Sequence, residues 1–507
     1  MSELLRDLAI GAPALAAVVV LGDLCALPRP RTRVPLRSVG GTIVLLLTAA
    51  FGFALLLILT GAPLVAAIGA GGLVAAHSLV SNIKRRVLGE PLVMSDFALI
   101  GAVFQHPQFY VSALRPWQIV VLAAGLAGLA AIMGVFANAA LAPRLAGGVL
   151  LLASGVGLRI ALPPLSRSLS APVPDPEIDL ARLGLIPAVL AQWWDWRATS
   201  DPPPCEAPPI GGDSKQLVVV VQCESFTDPA ELFGDPTAAL AGLAEARRIA
   251  WQSGRLLVSG FGAYTMRTEY GVLFGRGEDH LGTRRFDPFL TARGEVSWAL
   301  PNRLAPEAWD CWFVHPHDMR FYGRDRIMPP GGFGTLVGPE SFAPPGPGEG
   351  RYVTDAAITD RILDLAAAVP RAGFIYAVTI ENHGPWPAGA TGGAAIGASY
   401  AELLRHSDAM LTRLMAELPK LGRPVTLCFF GDHRPSIPGA SEPGPERHTP
   451  YVILRFSADG TPLTVGPCGT CDLTPAELHH TLLAAIASGE LEGEQDAVAQ
   501  RTGQDPV

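Results

Sequence analysis

Read by its apolar and polar positions, the chain falls into two parts with different periods. Up to about residue 165 there is little alternation, and apolar runs occupy 8–27, 40–60, 63–80, 117–137 and 145–163. Each run approaches the ~20 residues with which a helix crosses a bilayer. A buried helical core would carry a polar face, and these runs carry none, so the pattern predicts about five membrane spans. The first run does not read as a cleavable signal, because Asp7 precedes it, Asp23 stands near its end and further spans follow. From 215 onward short apolar strands alternate with longer helical segments, which predicts an α/β domain with a mainly parallel sheet. Strands are expected near 216–223, 255–259, 310–314, 373–380, 424–430 and 450–456, and helices near 237–252, 265–274, 353–369, 399–418 and 474–488.

The expected organisation is therefore a transmembrane domain over 1–165, a connector over 166–213, a catalytic-type α/β domain over 214–490 and a polar tail over 491–507. The connector is Pro-rich at both ends, with an amphipathic helix from Ile178 to Ala198 that carries Trp193, Trp194 and Trp196. Indoles at such a place suit either the membrane–water boundary or the core of the soluble domain. Arg29, Arg31, Arg33 and Arg37 follow the first run, and Lys84, Arg85 and Arg86 follow the third. Counting positive charge places both loops in the cytoplasm and, with five spans, the C-terminal domain as well, unless 92–112 also enters the membrane.

Charge and cysteine content change this picture little. The formal net charge is −8, and no Lys/Arg run with interleaved aromatics occurs in the soluble part, so nucleic-acid binding has no support. The seven cysteines form no paired zinc-knuckle spacing. Cys468-Gly-Thr-Cys471 reads as a local disulfide, a redox pair, half of a metal site or two free thiols.

In an open α/β sheet, ligands bind beyond the carboxyl ends of the strands. Three of the predicted strands end in Glu224-Ser225-Phe226, Glu381-Asn382-His383-Gly384-Pro385-Trp386 and Gly431-Asp432-His433. Carboxylates, imidazole and a hydroxyl make a reasonable ligand shell for Mn²⁺, Mg²⁺ or Zn²⁺. Thr265 follows a glycine-rich turn and opens a helix-like segment, where free N–H groups and the helix dipole favour an alkoxide or a phosphate. On this stretch alone the plainer reading is an N-cap, with Glu269 closing a capping box.

Glu224-Ser225-Phe226, Thr265 with Thr268-Glu269-Tyr270, Asn382-His383-Gly384-Pro385-Trp386 and Gly431-Asp432-His433 resemble, in that order, the motifs of the lipoteichoic acid synthase family and related phosphoglycerol transferases. That family lies in the sulfatase/alkaline phosphatase superfamily. The stretch from His315 to Asp325 is similar to its headgroup-binding segment, with His315, Tyr322 and Arg324 matching a His, an aromatic and an Arg. The likeness covers roughly 215–456, and the preceding spans fit the family's architecture.

By this resemblance, Glu224, Thr265, Asp432 and His433 hold one divalent metal, usually Mn²⁺ in the family, with Mg²⁺ or Zn²⁺ as alternatives. Thr265 would be the nucleophile, taking phosphoglycerol from a phosphatidylglycerol-like lipid and passing it to an envelope glycan or polymer. His383 and His315 are expected to bind the phosphate or protonate the leaving oxygen, and Arg324 to pair with it through two donors. A structural role for His315 or His317 stands beside that reading. The resemblance also implies a multi-pass protein of the cytoplasmic membrane whose catalytic domain faces the periplasm or exterior, against the loop-charge count.

The sequence departs from the pattern in two ways: Tyr322 stands where tryptophan is common, and the acceptor-facing residues do not match a teichoic-acid polymerase. A phosphoethanolamine transferase is the nearest alternative, although the cysteine-rich sequence around its nucleophile is missing. A sulfatase-like hydrolase or phosphodiesterase comes next, Thr265-Met-Arg-Thr lacking the CxPxR-type motif. A catalytically silent headgroup- or glycan-binding membrane protein is the most distant alternative.

Overall fold

The computed structural model describes residues 2–30, 37–99, 116–136, 139, 141–170, 172–211, 215–346, 350–386, 393–464, 466 and 468–502. The chain divides into two compact units, Met1–Ser200 and Asp201–Val507.

In the first unit, helices α1 (Ser2–Leu24), α2 (Val39–Thr60), α3 (Pro63–Leu88), α4 (Pro116–Phe136) and α5 (Leu141–Ser166) occupy the five apolar runs. Among the described residues, α2, α3 and α5 are long and apolar enough to cross a membrane. The expected amphipathic helix of the connector is two helices, α6 (Pro176–Leu183) and α7 (Leu185–Ala198). The break has a local cause. Asp23 accepts the Leu185 N–H at 2.9 Å, and a Cβ on Gly184, whose φ is 98°, would lie 2.7 Å from Asp23 Oδ2. Only a residue without a side chain fits that corner.

Asp23 itself is buried against Arg37, at 3.1 Å. Arg37 donates further to the carbonyls of Asp23, Ala26, Pro28, Leu180 and Ala181, joining the end of α1 to α6. Lys84 pairs with Asp96 and Arg85 with Glu177, so three of the cations counted in the loops are tied to carboxylates within this unit. The 92–112 stretch is described only as far as Leu99. Trp194 packs on a cluster containing Val44, Leu162, Leu183 and Ala188, with Arg159 over its ring at 4.7 Å. The connector thus splits: α6 and α7 belong to the helical unit, and the chain beyond Ser200 belongs to the other.

The second unit is built on one eight-stranded sheet. Its elements are β1 (Leu217–Cys223), α8 (Ala241–Ile249), β2 (Gln252–Leu256), α9 (Thr265–Phe274), β3 (Trp309–Val314), β4 (Thr335–Val337), α10 (Asp355–Ala368), β5 (Ala372–Val378), α11 (Gly393–Glu417), β6 (Val425–Gly431), β7 (Thr449–Phe456), β8 (Gly469–Thr470) and α12 (Pro475–Thr502), with short helical turns between them. The order is β4-β3-β5-β1-β6-β7-β2-β8. All neighbours pair in parallel except those of β7, which runs antiparallel to both β6 and β2.

Every residue of β1, β5 and β6 is buried, which explains why these strands read as unbroken apolar runs without alternation. Val219, Val221, Ile375, Leu427 and Phe429 pack with Leu243 of α8, Ile358 and Ile362 of α10 and Leu411 and Leu414 of α11 in one core. β4 and β8 were not expected; three and two residues long, they lack room for a sequence period. Helix α12 runs through to Thr502, into the stretch read as a polar tail. All seven cysteines are free thiols.

Candidate metal centre and active site

Because β3, β5, β1 and β6 lie side by side and parallel, the residues after their carboxyl ends emerge along one edge of the sheet. Glu224 and Ser225 follow β1, Asp432 and His433 follow β6, Glu381 to His383 follow β5, and His315 follows β3. Gly431 precedes Asp432 for a steric reason: a Cβ there would fall 1.9 Å from the Phe226 carbonyl oxygen.

Thr265 reaches the same place from a loop tied to the segment beyond His433. The Gly262 N–H donates to the Arg434 carbonyl at 2.7 Å, and Thr268 Oγ1 donates to the Asp432 carbonyl at 2.7 Å. Helix α9 is buried along its whole length, and a Cβ on its Gly271 would stand 2.5 Å from Pro475 of α12. The residue capping α9 is Tyr264, in the left-handed region at φ 79°, and no side chain caps the helix. Thr265 is thus the first helical residue and not the cap, and the Glu269 carboxylate turns to Arg324 instead of closing a capping box.

The four expected ligands converge. Thr265 Oγ1 lies 3.4 Å from Glu224 Oε2 and 3.4 Å from His433 Nε2. His433 Nε2 lies 3.5 Å from Glu224 Oε1 and 3.6 Å from Asp432 Oδ2. Four ligands held tetrahedrally about 2.0–2.1 Å from an ion are about 3.3–3.4 Å from one another, so the spacing fits a small divalent cation.

Electrostatics point the same way. Burial first, and the Glu224 carboxylate next, push the Asp432 carboxyl up to about 7. Asp432 Oδ2 is buried and has no hydrogen-bond partner. Two buried carboxylates with an orphaned oxygen are costly unless a positive charge compensates them. Burial opposes charging of His433, yet the Asp432 and Glu224 carboxylates outweigh it and raise its pKa. His433 Nδ1 sits 3.2 Å from the Arg434 carbonyl, which can only accept, so Nδ1 carries the proton and Nε2 presents a lone pair to the cluster.

The expected headgroup residues differ in what they have to offer. Arg324 is buried and grips Glu269 through Nε to Oε1 at 2.9 Å and Nη2 to Oε2 at 2.5 Å, so the two-donor face expected to meet a phosphate is taken. Its Nη1 donates to His315 Nε2 at 3.2 Å, while His315 Nδ1 donates to the Val378 carbonyl at 3.0 Å. Burial first, and Arg324 next, hold His315 well below its usual pKa. His315 is therefore a neutral ring with its proton committed to a carbonyl; it positions Arg324, and the expected role of acid for a leaving oxygen falls away.

Tyr322 is half-buried at φ 61°, with Arg324 5.2 Å from its ring centre. His383 is half-buried, edge-on to Tyr352, with Nδ1 against the Gly384 carbonyl at 2.7 Å. Sequence reasoning missed the supports of Glu224, whose N–H is held by Thr379 Oγ1 at 3.0 Å and whose carbonyl is held by Asn382 Nδ2 at 2.9 Å. Asn382 lay in a quoted motif, but nothing in a linear sequence joins it to a strand end so far away.

A mainly parallel sheet whose strand ends gather two carboxylates, an imidazole and a hydroxyl around a cation-sized gap gives a domain of the phosphatase and sulfatase type with a candidate metal site at Glu224, Asp432 and His433. Residues 216–476 match the sulfatase family, and the chain belongs to it. Over 420 residues, and 78% of each chain, it is 30% identical to the capsular polysaccharide biosynthesis protein RkpI of Rhizobium meliloti (strain 1021). Among solved structures it is similar to the integral membrane lipooligosaccharide phosphoethanolamine transferase A (EptA) of Neisseria meningitidis, with TM-score 0.49, 12% identity and coverage of 93% of this chain and 95% of that one. It is also similar to the Streptococcus pyogenes phosphoglycerol transferase GacH in complex with sn-glycerol-1-phosphate, with TM-score 0.44, 16% identity and coverage of 54% and 74%. The fold class expected from the resemblance, apolar membrane-type helices followed by a sulfatase-like α/β domain, is the one found.

Proposed function

We propose that the protein is a membrane-bound, metal-dependent transferase that moves a phosphoglycerol group from a phosphatidylglycerol-like lipid, through a covalent intermediate on Thr265, to an envelope glycan. The observation that carries this reading is the Thr265 hydroxyl, 3.4 Å from both Glu224 Oε2 and His433 Nε2 at the first turn of a helix. The polysaccharide named in the relative RkpI favours a glycan acceptor. Glu224, Thr265, Asp432 and His433 would hold one divalent metal, Mn²⁺ by the family resemblance or Zn²⁺ by the tetrahedral spacing of the ligands. When bound it lowers the pKa of the hydroxyl and neutralises charge on the phosphoryl oxygens.

Thr265 Oγ, having released its proton to solvent, attacks phosphorus as the alkoxide, the bond from phosphorus to the diacylglycerol oxygen breaks, and the departing oxygen takes a proton from His383 Nε2. The acceptor hydroxyl then attacks phosphorus, its proton passes to His383, and the bond to Thr265 Oγ breaks to return the threonine alkoxide. Tyr322 lines the headgroup side, with Arg324 and His315 fixed beneath it. The catalytic unit faces the periplasm or exterior of the cytoplasmic membrane, where such acceptors lie.

Mass spectrometry of the full-length protein after incubation with phosphatidylglycerol or with phosphatidylethanolamine tests the reading. A glycerophosphate adduct on Thr265 is expected from the first lipid. A phosphoethanolamine adduct on Thr265 instead would reassign the donor. Transfer at wild-type rate by Thr265→Ala would overturn the covalent mechanism.

A further inference from the structure

Ser225 touches three of the four residues that surround the cation gap, and it does so from a backbone conformation that a serine adopts with difficulty. It follows β1 at φ 50°, in the left-handed region that favours glycine, and is buried to 2% exposure. In that conformation its N–H donates to Asp432 Oδ1 at 2.8 Å, and its hydroxyl donates to Glu224 Oε1 at 2.8 Å. The same hydroxyl oxygen lies 3.4 Å from the His433 Nδ1 that carries the ring proton. The segment is held from behind: the Tyr400 hydroxyl donates to the Ser225 carbonyl and accepts from Thr227 Oγ1.

We propose that Ser225 is the positioning residue that decides which oxygen of each carboxylate meets the cation. It occupies Glu224 Oε1 and Asp432 Oδ1. What remains are Glu224 Oε2, which faces Thr265 at 3.4 Å, and Asp432 Oδ2, which is buried without a hydrogen-bond partner and lies 3.6 Å from His433 Nε2. Glu224 Oε1 still stands 3.5 Å from His433 Nε2, but the hydrogen bonds from Ser225 bias each carboxylate towards one ligand oxygen, and the contact to His433 Nδ1–H helps keep Nε2 bare. Monodentate carboxylates keep the ligand number low, which suits a compact tetrahedral ion over a larger one that accepts bidentate carboxylates. A glycine would take the same backbone with less strain, so the presence of a side chain there is explained by its hydroxyl.

This inference rests on the cation-site reading above, and the test separates the two. Full-length protein in detergent is stripped with chelator, then titrated with Zn²⁺ and with Mn²⁺ in competition with a chelating dye; apo melting temperature is recorded in parallel. Ser225→Gly deletes the hydroxyl while easing the backbone, and Ser225→Ala deletes the hydroxyl alone. In both, affinity should fall about 10–100-fold, the usual effect of removing a group that orients a ligand. The loss should be larger for Zn²⁺ than for Mn²⁺, because an unpinned Glu224 can turn bidentate. Apo Ser225→Gly should melt no lower than the apo wild type. Wild-type protein that binds neither ion sinks the cation site and this inference together. If wild type binds and Ser225→Gly binds both ions equally well, only the role of Ser225 is overturned; the same follows if its affinity falls only in step with a lowered apo melting temperature.

Discussion

Arg324 and Glu269 form a two-point ion pair with both side chains buried, Nε to Oε1 at 2.9 Å and Nη2 to Oε2 at 2.5 Å. The pair couples helix α9, which opens with Thr265, to the segment after β3 that carries Tyr322 and, through Nη1, to His315. Removing one partner of such a pair leaves a buried charge uncompensated, a loss of about 3–5 kcal/mol. Glu269→Gln should therefore lower the melting temperature of the protein by several degrees, and Arg324→Lys should do the same because an ammonium cannot span both oxygens. Unchanged thermal unfolding in both variants would remove the pair from the stability of the site.

Binding of a divalent ion to the folded protein alone should stabilise it by mass action, by about 2.7 kcal/mol at a hundredfold excess over Kd. A rise in melting temperature on adding Mn²⁺ or Zn²⁺ to chelator-treated protein is the expected result. Asp432→Asn should abolish most of that rise while leaving the apo protein folded, since it removes charge and not volume. An ion-dependent shift of wild-type size in the variant would exclude Asp432 as a ligand.

Gly431→Ala places a methyl group 1.9 Å from the Phe226 carbonyl oxygen, an atom of the backbone that cannot step aside. Overpacking of this kind costs about 1–3 kcal/mol or more. Asp432 and His433 follow directly, so the ion-dependent stabilisation should fall with the stability. A melting curve and metal titration that match wild type would show that β6 shifts without consequence.

Asp355 lies behind the site, where Ser407 Oγ donates to its Oδ2 at 2.6 Å and its own N–H donates to Glu381 at 2.6 Å. Burial first, and the Glu381 carboxylate next, raise its carboxyl to about 7, with Ser407, His406 and Thr379 acting the other way. The folded protein thus holds this proton more tightly than the unfolded chain. The resulting stability is complete below about pH 4, declines as pH rises towards 7 and is level above. Asp355→Asn cannot ionise, so its melting temperature relative to wild type should climb between about pH 4 and pH 7. A difference that is flat with pH would place the titration elsewhere.

The apolar runs, the parallel α/β alternation and the strand ends carrying Glu224, Asp432 and His433 were legible because each depends on local periodicity or on the residue that stops a strand. Thr265 was legible as the start of a helix, but whether it caps that helix depends on the backbone of Tyr264, which the sequence does not encode in any local signal. What only the tertiary structure decided are relations between distant segments. The Glu269 carboxylate, 55 residues from Arg324 in sequence, takes the donors expected for a phosphate, and His315 loses its acid role because Val378 and Arg324 claim both ring nitrogens. The break at Gly184 follows in the same way from Asp23, 162 residues before Leu185. A side chain's chemistry is fixed by its type, but which of its donors and acceptors remain for a ligand depends on the partners that folding brings within about 3 Å.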